Sequence, residues 1–253
     1  MGDLYLIGLG LSKRFLTNAS IESMKRSDVI FLDSYTSLSC DLSKDVLEEI
    51  IGKQISIVKR EDLEQGYRNI IESLKTKNVA IATVGDPMIA TTHVGLAVEA
   101  RKNGYNVRIV PGISVHCYII SKSMLSSYKF GRSVTLVYPY EGKTDMTTYN
   151  VIKSNQEAGL HSIIYLDLRD GKPMDGNEAI NLLLSMESQR NEGVIRLDDV
   201  LVLGERLGCD EERVFALSFR EAIKVNLNRP PYIIIIPSKK LHYMEVEALK
   251  CLH

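Results

Sequence analysis

Four short stretches place glycines, hydroxyls and carboxylates directly behind apolar runs, the pattern by which a sheet presents a binding loop. The first is Gly8-Leu9-Gly10-Leu11-Ser12, after the run at 4–7. Glycines let a backbone turn tightly and approach a ligand closely. The third glycine of a dinucleotide fingerprint is missing and no helix begins at once, so a plain strand-to-helix turn is an equal reading. The second is Gly85-Asp86-Pro87-Met88-Ile89-Ala90-Thr91-Thr92-His93. It follows an expected strand, where open α/β sheets bind ligands. Pro87 removes a donor and stiffens the turn, and Thr92 suits a helix N-cap. The third, Pro111-Gly112-Ile113-Ser114-Val115-His116, again follows a strand. Ser114 can cap the next helix, and free amides at a helix start can also face a ligand. The fourth is the polar loop Asp33-Ser34-Tyr35-Thr36-Ser37, which either faces water or lines a cleft.

None of these makes a catalytic triad. His93, His116, His161 and His242 stand in different contexts, without the spacing of a metal site. Absent a positioned partner, each reads as structural and not as a general base. The catalytic residues are therefore left unknown, and no metal site is expected. Cys40, Cys117, Cys209 and Cys251 form no C-x-x-C pair and read as isolated thiols in a reducing cytoplasm.

The elements that must position these loops follow from periodicity. Strands are expected at 4–7, 28–32, 55–58, 79–84 and 107–110, with helices at 18–26, 43–52, 61–76 and 92–102. The helical period over 61–76 rests on Leu63, Tyr67, Ile70, Ile71 and Leu74. This alternation argues for a parallel sheet with helices on its faces. The second half reads differently: helix 114–125, strand 133–138, helix 145–158, strand 162–167, helix 177–187, strands 199–203, 213–217 and 232–236, and helix 241–249. Strands 199–203 and 213–217 lie too close for a crossover helix, so this sheet is expected to be mixed. The run 232–236 reads as a strand buried on both faces. The expected class is α/β, with two α/β domains: 1–113, mostly parallel, and 114–253, mixed.

Composition restricts the function. The 253 residues carry 31 basic and 32 acidic side chains, so no basic excess points to a nucleic-acid backbone. The apolar run at 232–236, flanked by prolines, is too short to span a bilayer. The first residues lack a basic n-region and a long apolar h-region, so no signal peptide is expected.

Taken together, the strings resemble the diphthine synthases, within the tetrapyrrole-methylase-like class III S-adenosylmethionine-dependent methyltransferases. The resemblance is carried by Leu4-Tyr5-Leu6-Ile7-Gly8-Leu9-Gly10-Leu11, Tyr35-Thr36-Ser37, Gly85-Asp86-Pro87 and Ala90-Thr91-Thr92-His93. It continues through Ile164-Tyr165-Leu166-Asp167 and Leu203-Gly204-Glu205-Arg206-Leu207-Gly208 to Leu241-His242-Tyr243-Met244-Glu245. It implies a cytoplasmic homodimer that folds S-adenosyl-L-methionine into a cleft between two α/β domains and releases S-adenosyl-L-homocysteine. It assigns cofactor contacts to Leu9, Asp86, Ile89, Ser114, Val115, Leu166, Leu207 and Tyr232, the last where relatives can have histidine. The implied substrate is the amino group of a 3-amino-3-carboxypropyl-histidine on the translocation elongation factor. Tetrapyrrole methyltransferases of the same fold are a rival, but they carry G-P-G-D-P in the first loop where this chain has Leu9, Leu11 and Ser12. A non-catalytic cofactor-binding protein is the rival from another class.

Overall fold

The computed structural model describes residues 1–64, 67–169, 171–227 and 229–252, and of Glu64 only the backbone. The chain divides into two compact units. One comprises Met1–Val115 with Gly208–Asp210, the other His116–Leu207 with Glu211–His253.

The first unit runs β1 (Leu4–Gly8), α1 (Asn18–Arg26), β2 (Val29–Asp33), α2 (Lys44–Ile51), β3 (Ser56–Val58), α3 (Arg60–Glu64), α4 (Arg68–Ser73), β4 (Val79–Thr83), α5 (Val94–Lys102) and β5 (Val107–Val110). Its sheet is parallel throughout, in the order β3-β2-β4-β1-β5. The central strands β1 and β4 are buried at every position, as strands covered by helices on both faces must be. Local capping fixes several helix ends. Thr17 accepts the Ser20 amide at the start of α1, and Ser43 accepts that of Val46 at the start of α2. Gly52 closes α2 in the left-handed region, at φ 72°. The helix expected over 61–76 appears as α3 and α4; residues 65 and 66 within it lie outside the described residues.

The chain continues with α6 (Val115–Ser123), β6 (Val134–Leu136), α7 (Thr147–Glu157), β7 (Ser162–Leu166), β8 (Leu168–Arg169), β9 (Lys172–Pro173), α8 (Gly176–Arg190), β10 (Val200–Glu205), β11 (Arg213–Ser218), α9 (Phe219–Ala222), β12 (Tyr232–Ile236) and α10 (Tyr243–Lys250). The second sheet has the order β11-β10-β12-β7-β6 and is mixed: β6 and β7 are parallel, the other pairs antiparallel. The β10–β11 pair is a hairpin in register from Val200↔Ser218 to Glu205↔Arg213. The central strand β12 is fully buried. Each of its four isoleucines removes enough apolar surface to contribute roughly 1.5–3 kcal/mol. The small β8–β9 ladder and α9 were not expected from the sequence.

Two expectations are corrected. Cys40 and Cys209 are not isolated thiols: they form a disulfide across 169 positions of sequence. Cysteine spacing says nothing about which loops meet in space, and this pair meets only because Gly208–Asp210 joins the first unit. Thr92 is not a helix cap. Ala90 turns the loop through the left-handed region at φ 57°, and α5 starts later, with His93 at the cap position.

A buried ionic network holds α10 in the second unit. Glu245 is 4% exposed and accepts from Lys129 Nζ at 2.5 Å, Ser126 N at 3.1 Å and His242 N at 2.8 Å. Its Oε1 also lies 2.9 Å from His161 Nε2, while His161 Nδ1 accepts the Ser238 amide at 2.9 Å. An amide can only donate, so His161 is neutral with its proton on Nε2. Burial lowers the His161 pKa against the raising effect of Glu245. Burial alone would raise the Glu245 carboxyl, but the bonds from Lys129, His242, Ser126 and His161 bring it down to about 2.

The depressed Glu245 pKa contributes stability that is full above the unfolded value of roughly 4.3 and is lost as pH falls towards about 2. Neutral His161 adds a loss beginning below its unfolded value, roughly 6.5. Glu245→Ala leaves Lys129 and His161 without their buried partner and is expected to cost about 3–5 kcal/mol. Urea unfolding at neutral pH measures that cost. The loss on moving the wild type to pH 4 should be smaller in the variant, and equal acid sensitivity would contradict the network's role.

Candidate functional site

The loops singled out in the first half of the sequence meet at the carboxyl edge of the first sheet. The Leu9 amide donates to Thr83 O at 2.9 Å, and Gly10 and Gly85 exchange backbone hydrogen bonds at 3.1 and 2.8 Å. These bonds tie the turn after β1 to the turn after β4. A Cβ on Gly8 would collide with the backbone of Gly112, and one on Gly112 with Gly85 O and the Gly8 backbone. Three loops therefore pack backbone against backbone, and only glycine permits that approach.

Asp86 fastens the arrangement. It is 9% exposed; its Oδ1 accepts the Met88 amide at 2.8 Å and its Oδ2 the Gly112 amide at 3.1 Å. One carboxylate thus shapes its own turn and holds the turn after β5. Ser114 is buried, with its Cα 3.8 Å from the Cβ position of Gly85, while Ile89 is 36% exposed. Leu9 is fully buried and its side chain packs in the sheet core. Leu9, Asp86, Ile89, Ser114 and Val115 are thus gathered at one edge of the first unit.

The Asp33–Ser37 loop is anchored at the same edge. Asp33 Oδ1 accepts the amides of Tyr35 and Thr36, each at 3.1 Å, and its Oδ2 accepts the Thr36 hydroxyl. His93 Nε2 lies 3.2 Å from Asp33 Oδ2, close but poorly aligned for a hydrogen bond, and both side chains are fully buried. His93 Nδ1 donates to Pro87 O at 2.9 Å. The Tyr-Thr-Ser and Thr-Thr-His strings therefore share one buried knot beneath the Gly-Asp-Pro turn.

In the second unit, Leu166, Leu207 and Tyr232 lie at one edge of the sheet, at the end of β7, just past β10 and at the start of β12. Their side chains divide between faces. Leu166 and Tyr232 pack in the main core, whereas Leu207 meets the Cβ position of Gly204 beside Ile233 and Ile119 of α6. Burial, with Glu205 and Asp175 nearby, pushes the Tyr232 phenol up to about 12. Glu205, fully buried, pairs with Arg213 and accepts the Arg229 amide at 3.0 Å.

The disulfide holds the segment after Leu207. The Arg14 guanidinium donates to Cys209 O at 3.2 Å, and a Cβ on Gly208 would press on Leu11. Cys40 and Cys209 were absent from the sequence-derived site. No local motif marks them; only the fold brings them together.

Among the described histidines, His93 and His161 are fully buried, and His242 is exposed and caps α10, with its Nδ1 accepting the Met244 amide. His116 differs: it is half-buried and its Nδ1 lies 2.7 Å from the Tyr165 hydroxyl. Among the described residues, no group of three or more His, Cys, Asp or Glu side chains is placed to hold a metal, and no helix is long and apolar enough to cross a membrane.

Comparison with known proteins gives a consistent result. Residues 3–223 match the family model of tetrapyrrole (corrin/porphyrin) methylases. The chain is 56% identical to the diphthine synthase of Metallosphaera sedula, covering 100% of both chains. It is 52% identical to that of Sulfurisphaera tokodaii, covering 100% of this chain and 99% of the relative. A crystal structure of diphthine synthase superposes with a TM-score of 0.90 at 30% identity, over 98% of this chain and 95% of that one.

The backbone packing at the loop edge generates a direct test. Gly8→Ala should destabilise the protein by about 1–3 kcal/mol, since the neighbours that must move are backbone and not flexible side chains. Gly142→Ala meets nothing within 4 Å and differs only in its left-handed φ of 75°. It should cost about 1 kcal/mol. Thermal unfolding should rank Gly8→Ala as the more damaging; the reverse order would show that the three loops can separate freely.

Proposed function

We propose, since the chain belongs to the tetrapyrrole methylase family and within it to the diphthine synthases, that it transfers methyl groups from S-adenosyl-L-methionine to the amino group of a 3-amino-3-carboxypropyl-histidine on the translocation elongation factor. The observation that carries this reading is full-length identity above half to a diphthine synthase, with the family's loop strings sharing one edge of the first sheet. The enzyme is a methyltransferase, and neither a corrin substrate nor a non-catalytic role is favoured.

The cofactor contacts are assigned to Leu9, Asp86, Ile89, Ser114, Val115, Leu166, Leu207 and Tyr232. The residues present fit such a group. The close-packed glycine loops put no side chain where they meet, Ile89 offers exposed apolar surface, and Asp86 keeps a carboxylate for a cationic ligand. Leu9, Leu166 and Tyr232 commit their side chains to cores, so their contacts run through backbone. That reading also makes histidine or tyrosine at position 232 interchangeable for binding.

The cofactor supplies an activated methyl group on a sulfonium, already a good leaving group. The protein's task is to hold an unprotonated amine in line and to exclude water. Asp86 orients the Gly-Asp-Pro turn, and the Glu205–Arg213 pair steadies the strand ends next to Tyr232. The enzyme works as a homodimer in the cytoplasm, where its elongation factor substrate is found.

Asp86→Ala removes a charge and the support of two amides. Titration with S-adenosylhomocysteine should show affinity reduced about 10- to 100-fold, the equivalent of roughly 1.5–3 kcal/mol for a hydrogen bond to a charged group. Unchanged affinity in the folded variant would remove Asp86 from the site. Mass spectrometry of the modified elongation factor should show methyl increments on nitrogen that stop at the quaternary ammonium, which has no lone pair left. A product with no methyl on the side-chain nitrogen would overturn the proposed reaction.

A further inference from the structure

His116 sits on the second residue of α6, directly after Val115, and Tyr165 directly before Leu166. Both neighbours are assigned to the cofactor. Tyr165 pairs with Ile233 across the β7–β12 ladder, and Ile233 shares with Ile119 and Leu207 the space over Gly204. Side chains of in-register partners point to the same face of a sheet, so Tyr165 faces α6 on the side where Leu207 lies. His116 and Ile119 are three residues apart and share a face of α6. The 2.7 Å contact between His116 Nδ1 and the Tyr165 hydroxyl therefore closes a cluster around Leu207. Among the described residues, His116 Nε2 has no hydrogen-bond partner.

We propose that His116 is the proton acceptor that converts the substrate ammonium into the attacking amine, with Tyr165 positioning its ring. This rests on the methyltransferase reading given above. The Tyr165 oxygen has two lone pairs, so it can accept Nδ1–H of His116. Nε2 then keeps its lone pair. The substrate N–H proton moves to Nε2, and the freed pair on nitrogen forms the N–C bond. The methyl C–S bond breaks with its electrons staying on sulfur, and His116 releases the proton to solvent. Among the described residues, the titratable groups beside this pair are Tyr165 on β7, bonded to the ring, and Cys117 on α6, which acts on Tyr165. Among the described residues, no carboxylate bonds the His116 ring. Burial lowers the His116 pKa, and the positive end of α6 acts in the same direction. Burial raises the Tyr165 phenol, so Tyr165 stays neutral. A base that is neutral at physiological pH is what removal of an ammonium proton requires.

The test is single-turnover transfer of the first methyl group, followed by mass spectrometry from about pH 6 to pH 10, the upper end reaching the ordinary amine range. Wild type, His116→Gln and Tyr165→Phe are compared, with S-adenosylhomocysteine affinity measured in parallel. The wild-type rate should level off near neutrality. His116→Gln should lose about tenfold or more at pH 7, the scale of general-base catalysis, and recover towards the wild-type rate as the amine deprotonates unaided. Tyr165→Phe should fall between, and it alone poses the same question if His116→Gln does not fold. Cofactor affinity should stay within about twofold in both. A His116→Gln profile that superimposes on the wild type overturns the proposal, and so does a loss equal at every pH, which marks a purely structural residue. No transfer by the wild type would remove the methyltransferase reading and this proposal together, whereas the first two outcomes remove the proposal alone.

Discussion

The Asp86 carboxylate accepts two backbone amides, one from its own turn and one from the turn after β5. That double acceptance sets the loop edge of the first unit. Gly112 can be drawn against Gly8 only if its amide has somewhere to go, because a buried unpaired N–H costs about as much as the packing gains. With the amide satisfied by Asp86, backbone packs on backbone and no side chain intervenes where the three loops meet. The antiparallel exchange between Gly10 and Gly85 closes the other side of the same arrangement. The buried Asp33–His93 knot then supports the turn from beneath, through Pro87 O. Each of these bonds presupposes the geometry the others maintain.

Much of this was legible in the residues. Thr17, Ser43 and Gly52 end helices where capping chemistry places them, and the close spacing of the strands in the second half foretold the antiparallel β10–β11 pair. These features are local, and local chemistry determines them. The misses have a common cause. Thr92 looked like a cap because threonine caps helices, but the left-handed turn at Ala90 and the claim of Pro87 O on His93 move the start of α5. Cys40 and Cys209 looked unpaired because their spacing matches no motif, while their meeting depends on the path of the intervening chain. Residue type names a candidate; only the fold says which atoms remain available to it.

The same distinction applies to the site itself. The strings that mark the loops could be placed at strand ends from the sequence, but the face each side chain takes could not. Leu166 and Tyr232 turn into the core while Leu207 turns towards α6, so neighbours on one sheet edge have different uses. Four histidines were indistinguishable as isolated residues. Their partners separate them: a carbonyl for His93, an amide and a carboxylate for His161, a helix start for His242 and a phenol for His116.

The bridge between Cys40 and Cys209 has a consequence outside the native state. Oxidised, the denatured molecule is not a linear polymer but a closed ring with two tails, since the linked residues stand 169 positions apart. The ring holds every strand from β3 to β10; β1 and β2 lie on one tail, β11 and β12 on the other. A ring explores a smaller volume than an open chain and exposes less surface, so unfolding releases less solvent-accessible area per molecule. Denaturant should therefore act on the oxidised protein with a shallower slope than on the reduced one. Both tails must also find their sheets around a loop already closed, and neither can diffuse far from the strands it has to join.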